Sequence, residues 1–245
     1  ISQELSSYGI DIYGKNRLPQ LIKQISEIEG IEWIRLHYLY PTKFPYEILP
    51  VMRENPKVCK YLDMPLQHIA NPVLKRMLRH VTREETEALV RRIKEEVPGV
   101  ILRTTMLVGF PGETEKDFEE LKQFIRDTKF EKLGVFTYSH EEGTYAAKRF
   151  EDDVPDVVKQ ARANEIMEIQ QQVSAELNRE KIGQTFKVII DRKEDEFYVG
   201  RTEFDSPEVD GEVYITSEKD LKKGEFVQVK ITGAEDYDLF GKSVV

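Results

Sequence analysis

The chain has 245 residues, of which 40% are hydrophobic, and it carries a net charge of −9. This composition can bury a core and is not that of a disordered chain. No apolar run approaches the roughly 20 residues that a membrane-spanning helix needs. The single cysteine, Cys59, excludes an intrachain disulfide framework and fits a reducing compartment such as the cytoplasm.

The negative charge is concentrated at the C-terminal end. Residues 182–245 hold nine Lys and Arg against fifteen Asp and Glu. Because binding to nucleic-acid phosphates depends on Lys and Arg, this segment is poorly suited to RNA and better suited to a basic partner. On charge alone, an acidic surface that only maintains solubility is an equally good interpretation.

Strand and helix patterns alternate over the first part of the chain. Strands are predicted at 33–40, 61–64, 100–108 and 133–138, and helices at 18–28, 46–53, from 73, at 83–96 and from 114. Thr114, followed three residues later by Asp117, predicts a helix N-cap. Strict alternation predicts an α/β fold with a parallel sheet, either doubly wound or part of a TIM-like (β/α) barrel.

The pattern changes after Pro155. A long helix is predicted to about Ile182, and five short strands follow at 186–191, 197–201, 212–215, 226–232 and 239–245. Five short antiparallel strands predict a small closed β-barrel of oligonucleotide-binding type. We therefore predict two domains, residues 1–181 and residues 182–245.

Polar side chains cluster directly after the predicted strands of the first domain. The clusters are His37 to Pro41, Gln67 with His68, Thr104 with Thr105, Gly109 to Glu113, and Thr137 to His140, with Gln3 near the start. The carboxyl ends of parallel strands share one edge of a sheet and form the binding sites of such folds. This recurrence predicts a polar pocket on that edge without identifying its ligand.

Each candidate has a structural alternative. Gly109 and Gly112 could let backbone amides approach a ligand, or they could form a tight turn before a helix. No Walker lysine follows them, which argues against a nucleoside triphosphate site. His68 could shuttle protons, although we favour a structural hydrogen bond. Arg103 lies inside an apolar strand, so its charge must be paired with the carboxylate of a ligand or of another residue of the protein. We interpret Cys59 as a small residue that fills space in the core.

Together these stretches resemble the radical S-adenosylmethionine methylthiotransferases. The matching motifs are Ser2-Gln3-Glu4 with Tyr8-Gly9, Pro65-Leu66-Gln67-His68, Val73-Leu74-Lys75 with Met77, Arg79 and Thr82, Thr104-Thr105, Gly109 to Thr114, Val135 to Ser139, Glu142-Gly143-Thr144, and Tyr237-Asp238-Leu239 with Gly241. They occur in the family's order and cover essentially the whole chain. The C-terminal barrel resembles the TRAM domain.

Two branches of this family compete. One modifies an adenosine in transfer RNA, and the RimO-type branch adds a methylthio group to the β-carbon of an aspartate in small-subunit ribosomal protein S-twelve. The motif at 33–38, His68 and the segment 205–211 resemble the second branch. The acidic barrel agrees, because ribosomal proteins are basic. A non-catalytic binding fragment is a further alternative.

The resemblance implies S-adenosylmethionine and two 4Fe-4S clusters in the intact protein, with a reducing donor such as flavodoxin or ferredoxin. Such clusters need Cys thiolates, so we expect their ligands on a segment before Ile1 and expect no metal site and no activity in this chain alone. The resemblance also implies cofactor-facing roles for Gln3, Gln67, Arg103, Thr105, Gly109 and Val135. Arg103 would bind the methionyl carboxylate, while His68 and Tyr138 would face the substrate.

Overall fold

The structure, a computed structural model, describes residues 4–244; the predicted cofactor-facing residue Gln3 lies outside the described residues. The helices in this range are α1 Ile10–Tyr13, α2 Leu18–Ser26, α3 Ile48–Glu54, α4 Asn71–Arg76, α5 Arg83–Glu96, α6 Glu115–Thr128, α7 Tyr145–Arg149 and α8 Asp156–Arg179. The strands are β1 Ile34–Leu36, β2 Val58–Asp63, β3 Ile101–Val108, β4 Lys132–Thr137, β5 Thr185–Glu194, β6 Phe197–Thr202, β7 Val213–Thr216, β8 Phe226–Ala234 and β9 Leu239–Val244.

The chain divides into two compact units. The first extends to Gln170 and the second begins at Gln171, within α8. The predicted domain boundary at 181 and 182 lies just beyond the end of this helix and stays a prediction. No helix in residues 4–244 combines the length and apolar character needed to cross a bilayer.

The first unit contains one parallel sheet. Its strand order is β1-β2-β3-β4, and every neighbouring pair is parallel. A doubly wound sheet reverses its strand order at a switch point. This sheet keeps the order of the chain without reversal, as the wall of a (β/α) barrel does. The prediction of a partial TIM-like barrel is therefore the better of the two alternatives.

Capping residues fix where the longer crossover helices of this unit begin. Thr114 accepts a hydrogen bond from the Asp117 amide, and the Asp117 side chain returns one from the Thr114 amide. Thr82 and Glu85 form the same reciprocal cap at the start of α5. Such caps satisfy backbone donors that the first helical turn leaves unpaired. The N-cap predicted at Thr114 is confirmed.

The two faces of the parallel sheet differ in chemistry. Leu36 of β1, Leu62 of β2 and Leu102 of β3 belong to the hydrophobic core that the sheet forms with the helices. Successive residues of a strand point to opposite faces. The other face, which we call the polar face, carries Arg35, His37, Asp63, Arg103 and Thr105.

The second unit contains a closed barrel with the strand order β5-β6-β7-β9-β8. Its core includes Val188, Ile190, Val213 and Val229. The predicted five-stranded barrel is confirmed, but the prediction that it is wholly antiparallel is wrong, because β7 pairs with β9 in parallel. A closed ring with an odd number of strands cannot alternate direction all the way round, so it requires a parallel pair.

Candidate functional site

The chain that follows β2 continues to pair with β3 at the carboxyl edge of the sheet. The Gln67 amide donates to the Thr105 carbonyl over 2.9 Å, and the Leu107 amide donates to the Gln67 carbonyl over 2.7 Å. This pairing holds Gln67 beside Thr105, as predicted for residues of one pocket. Among the described residues, neither side chain makes a hydrogen bond, and both are half-buried.

Asp63, at the end of β2, is the centre of an ion-pair network on the polar face. Arg103 Nη1 lies 2.8 Å from Asp63 Oδ1, and His37 Nδ1 lies 3.8 Å from Asp63 Oδ2. The Tyr38 amide also donates to Oδ2, over 3.3 Å. Of the two partners considered for Arg103, the structure shows the protein carboxylate. Its contact with the methionyl carboxylate stays a prediction.

Burial and hydrogen bonding act on Asp63 in opposite directions. Burial alone would raise the pKa of its carboxyl group, but the contact with His37 and the hydrogen bond and charge of Arg103 outweigh burial. The pKa of Asp63 is therefore lowered from its ordinary value of 3.8. The carboxylate form is the one that can accept from both Arg103 and His37.

Two residues at this edge have backbone conformations that residues other than glycine rarely adopt. Tyr38 follows β1 with a φ of 59°, and Gln67 follows β2 with a φ of 71°. A left-handed conformation at such residues costs about 1–3 kcal/mol and persists only where the surroundings enforce it. Here the Tyr38 amide is held by Asp63, and both backbone groups of Gln67 are held by β3.

The turn after β3 uses its glycines for protein contacts. The Gly109 amide donates to Glu113 Oε2 over 2.8 Å, and the Gly112 amide donates to Asp153 Oδ1 over 2.7 Å. These contacts support the alternative of a tight turn, and the interpretation that the amides approach a ligand stays a prediction. A cofactor contact at Gly109 would have to use an atom other than its N–H and stays a prediction.

The buried side chain of Glu113 stabilises this turn. Its side chain is fully buried, and Oε1 accepts a hydrogen bond of 2.7 Å from Arg162 Nη1 of α8. Its other oxygen, Oε2, accepts from Gly109 and lies 3.6 Å from His68 Nε2. A buried carboxylate needs this many donors to offset its desolvation.

His68 belongs to this closed network. It is fully buried, and its Nδ1 accepts a hydrogen bond of 3.0 Å from the Ala70 amide, which leaves the ring proton at Nε2, facing Glu113. A proton shuttle needs access to a reacting group. The geometry therefore supports the structural alternative, and the substrate-side role of His68 stays a prediction without support from its position.

Tyr138 follows β4 in a small aromatic cluster. Its ring packs edge-on against Phe110 at 5.1 Å between centroids, and its hydroxyl lies 3.3 Å from His140 Nδ1. Burial, and secondly the charge of Asp152, raises the pKa of the Tyr138 hydroxyl. The hydroxyl thus keeps its proton at neutral pH and can donate a hydrogen bond. Its substrate-side role stays a prediction.

Val135, in β4, packs its side chain against the hydrophobic core. Any cofactor contact at this residue would use its backbone, as predicted for it. The sequence did not identify Asp63, Glu113 or Arg162 as members of these networks. Asp63 could have been found from the sequence, because it is a charged residue inside the apolar strand 61–64. The same kind of signal identified Arg103.

The donor set suits part of the cofactor that the sequence implies. A guanidinium from Arg103, a hydroxyl from Thr105 and a carboxamide from Gln67 lie at one edge and can bind carboxylate and ribose hydroxyl groups. An iron–sulfur cluster does not fit this chain, because its one cysteine is buried in β2. Residues 4–244 also contain no group of three or more His, Cys, Asp or Glu able to hold a metal ion.

Comparison with known proteins gives two family matches and a set of curated relatives. Residues 6–125 match the Radical SAM superfamily, and residues 182–244 match the TRAM domain. A Porphyromonas gingivalis protein named ribosomal protein uS12 methylthiotransferase RimO is 57% identical, over 100% of this chain and 57% of its own length. Proteins of the same name from Bacteroides thetaiotaomicron and Flavobacterium johnsoniae are 58% and 54% identical over 99% of this chain, and over 56% and 55% of their own lengths.

Among solved structures, coproporphyrinogen III oxidase (HemN) from Escherichia coli, a radical SAM enzyme, is similar. Its TM-score is 0.51 at 20% identity, over 64% of this chain and 36% of that protein. This likeness concerns the fold alone. The chain spans a little over half the length of the curated relatives it matches.

Proposed function

From the premise that this chain belongs to the radical SAM methylthiotransferase family, we propose that its protein adds a methylthio group to the β-carbon of an aspartate in ribosomal protein uS12. The observation that carries this proposal is identity of 54 to 58% along essentially the whole chain to relatives named as uS12 methylthiotransferases in three genera. This identity extends over both units, so it includes the barrel as well as the sheet.

S-adenosylmethionine and iron–sulfur clusters supply the radical chemistry of such enzymes, while the protein binds and orients the reactants. In this chain, Gln67, Arg103 and Thr105 would bind the polar groups of S-adenosylmethionine at the sheet edge. Because the chain has one cysteine, the cluster ligands would come from outside these 245 residues. Flavodoxin or ferredoxin is the proposed electron donor, and the cytoplasm, where ribosomal proteins are made, is the proposed location.

The charge of the barrel supports a protein substrate over RNA. Residues 182–245 carry fifteen Asp and Glu against nine Lys and Arg. Such a surface attracts a basic ribosomal protein and repels a phosphate backbone. The methylthiolation of a transfer-RNA adenosine, the activity of the sister branch, would require the barrel to bind RNA against this charge.

A chimera tests the proposal directly. This chain would replace the matching 57% of the P. gingivalis relative, and the purified chimera would be reconstituted with iron and sulfide under anaerobic conditions. After incubation with S-adenosylmethionine, a reductant and recombinant uS12, mass spectrometry should show one methylthio group in place of one hydrogen, located on an aspartate.

Parallel reactions with total transfer RNA separate the alternatives. Modification of an adenosine but not of uS12 would replace the proposal with the sister activity. A chimera that binds uS12 and cleaves S-adenosylmethionine, yet modifies neither substrate, would reduce this chain to a binding part. The unaltered P. gingivalis relative, treated identically, is the control for reconstitution.

A further inference from the structure

His37 directly follows β1, at the sheet edge where Gln67, Arg103 and Thr105 are proposed to bind the cofactor. Leu36 is in the hydrophobic core, so the alternation of strand residues places His37 on the polar face. Its ring lies 5.6 Å from the Tyr61 ring, which is fully buried beneath it. The His37 side chain is 35% exposed, so part of the imidazole can be reached from outside.

The Nδ1 atom of the imidazole faces a buried carboxylate. His37 Nδ1 lies 3.8 Å from Asp63 Oδ2, and the Asp63 side chain is only 2% exposed. Asp63 is itself fixed, because it also accepts hydrogen bonds from Arg103 over 2.8 Å and from the Tyr38 amide over 3.3 Å. A carboxylate held in this way can accept a hydrogen bond from the imidazole and so orient the ring.

The backbone next to His37 is strained in a way that keeps this arrangement. Tyr38 has a φ of 59°, and its amide points at Asp63 rather than continuing the strand. Strain of this kind is concentrated at functional sites. Within this network His37 is the most exposed side chain at 35%, compared with 22% for Arg103 and 2% for Asp63.

We propose that His37, oriented by Asp63, forms a subsite that binds the carboxylate of the acidic side chain to be modified. This inference rests on the proposed function and names the group through which the substrate is recognised. With a proton on each ring nitrogen, His37 would donate from Nδ1 to Asp63 and from Nε2 to the substrate. The subsite holds the side chain by the group adjacent to its reacting β-carbon, and it discriminates aspartate from its uncharged isostere asparagine.

The test uses the chimera with two forms of uS12, one with the natural target aspartate and one with asparagine at that position. With His37 intact, kcat/KM for the aspartate form should exceed that for the asparagine form. In His37→Gln, this preference should fall by roughly ten- to hundredfold, the size of one charge-assisted hydrogen bond. His80→Gln, which changes an exposed histidine between α4 and α5, is the matched control and should keep the preference.

A second readout separates the substrate's carboxylate from that of the cofactor. Uncoupled cleavage of S-adenosylmethionine and its binding affinity should be the same in His37→Gln as in the unmodified chimera. A weaker affinity for S-adenosylmethionine, with the aspartate preference retained, would overturn the proposal in favour of a cofactor site. An unchanged preference with unchanged cofactor binding would also overturn it. If the unmodified chimera fails to modify uS12, the proposed function fails instead.

Discussion

Replacing Glu113 by Gln should destabilise the first unit strongly although the two side chains have nearly the same shape. Each oxygen of the fully buried Glu113 carboxylate accepts from a different donor, Oε1 from Arg162 and Oε2 from Gly109. A Gln side chain has only one oxygen, so its amide group would face one of these two donors. One buried N–H would then lack an acceptor, and Arg162 would lose its buried counter-charge.

The magnitude follows from these two losses. Removing one partner of a buried ion pair costs about 3–5 kcal/mol. Arg162 keeps a second carboxylate, Glu115 Oε2 at 3.2 Å, but Glu115 is 72% exposed and compensates little. We expect a loss of about 3 kcal/mol, which lowers Tm by roughly 6–12 °C for a unit of this size.

Urea unfolding monitored by the fluorescence of Trp33 measures this loss. Trp33 is the single tryptophan and precedes β1, so its signal reports on the first unit. Glu115→Gln, which alters the exposed partner of the same arginine, is the matched control and should cost less than about 1 kcal/mol. If Glu113→Gln costs no more than Glu115→Gln, the assignment of Glu113 as the buried centre of this turn is wrong.

Three further predictions concern the same unit. Because the pKa of Asp63 lies below 3.8 in the folded protein, its carboxylate adds stability above the unfolded pKa and that stability is lost as the pH falls through the folded value. The urea midpoint should therefore decline on acidification below about pH 4. This decline should be smaller in Asp63→Asn, which is already less stable at pH 7. Equal pH dependence of the two proteins would contradict the prediction. Gly109→Ala should destabilise by about 2–4 kcal/mol, and by more than Gly112→Ala. A Cβ at Gly109 would clash with the aliphatic part of the buried Lys159 side chain, whereas a Cβ at Gly112 would meet the guanidinium of Arg76, which can move away. The reverse order of the two urea midpoints would contradict this prediction. Cys59 is buried, so a thiol reagent should label it only at the rate of unfolding, and labelling within seconds in native buffer would be inconsistent with its position in β2.

Periodic patterns and capping residues predicted most of the fold. The helix predicted at 83–96 is observed as Arg83–Glu96, because its cap and its apolar spacing are both local signals. The strand predicted at 33–40 is observed only as Ile34–Leu36. Its residues have strand-like composition, but Tyr38 adopts a left-handed conformation held by Asp63, a residue distant in sequence. A local pattern cannot show that a distant hydrogen bond will end a strand.

The candidate site, like the fold, could be predicted only where the signals are local in sequence. The sequence identified the edge of the sheet and the need of Arg103 for a partner, but the choice of Asp63 follows from strand register, in which Asp63 and Arg103 are paired. It could not place Arg162 against Glu113, because 49 positions separate them and α8 has no motif that indicates the contact. Pairings of this kind are set by packing, so only a structure provides them.

Two carboxylates near the carboxyl edge of the sheet show how structural and functional groups differ in this protein. Glu113 is enclosed: its two oxygens are hydrogen-bonded to Arg162 and Gly109, and the nearby His68 is fully buried. Asp63 is equally buried, but its partners His37 and Arg103 are 35% and 22% exposed. A buried charge whose partners are all buried can only stabilise the fold, whereas one that orients partly exposed side chains can affect how those side chains bind a ligand. By this criterion the proposed recognition of the substrate belongs to Asp63 and the polar face, whereas Glu113 stabilises the turn at 109–113.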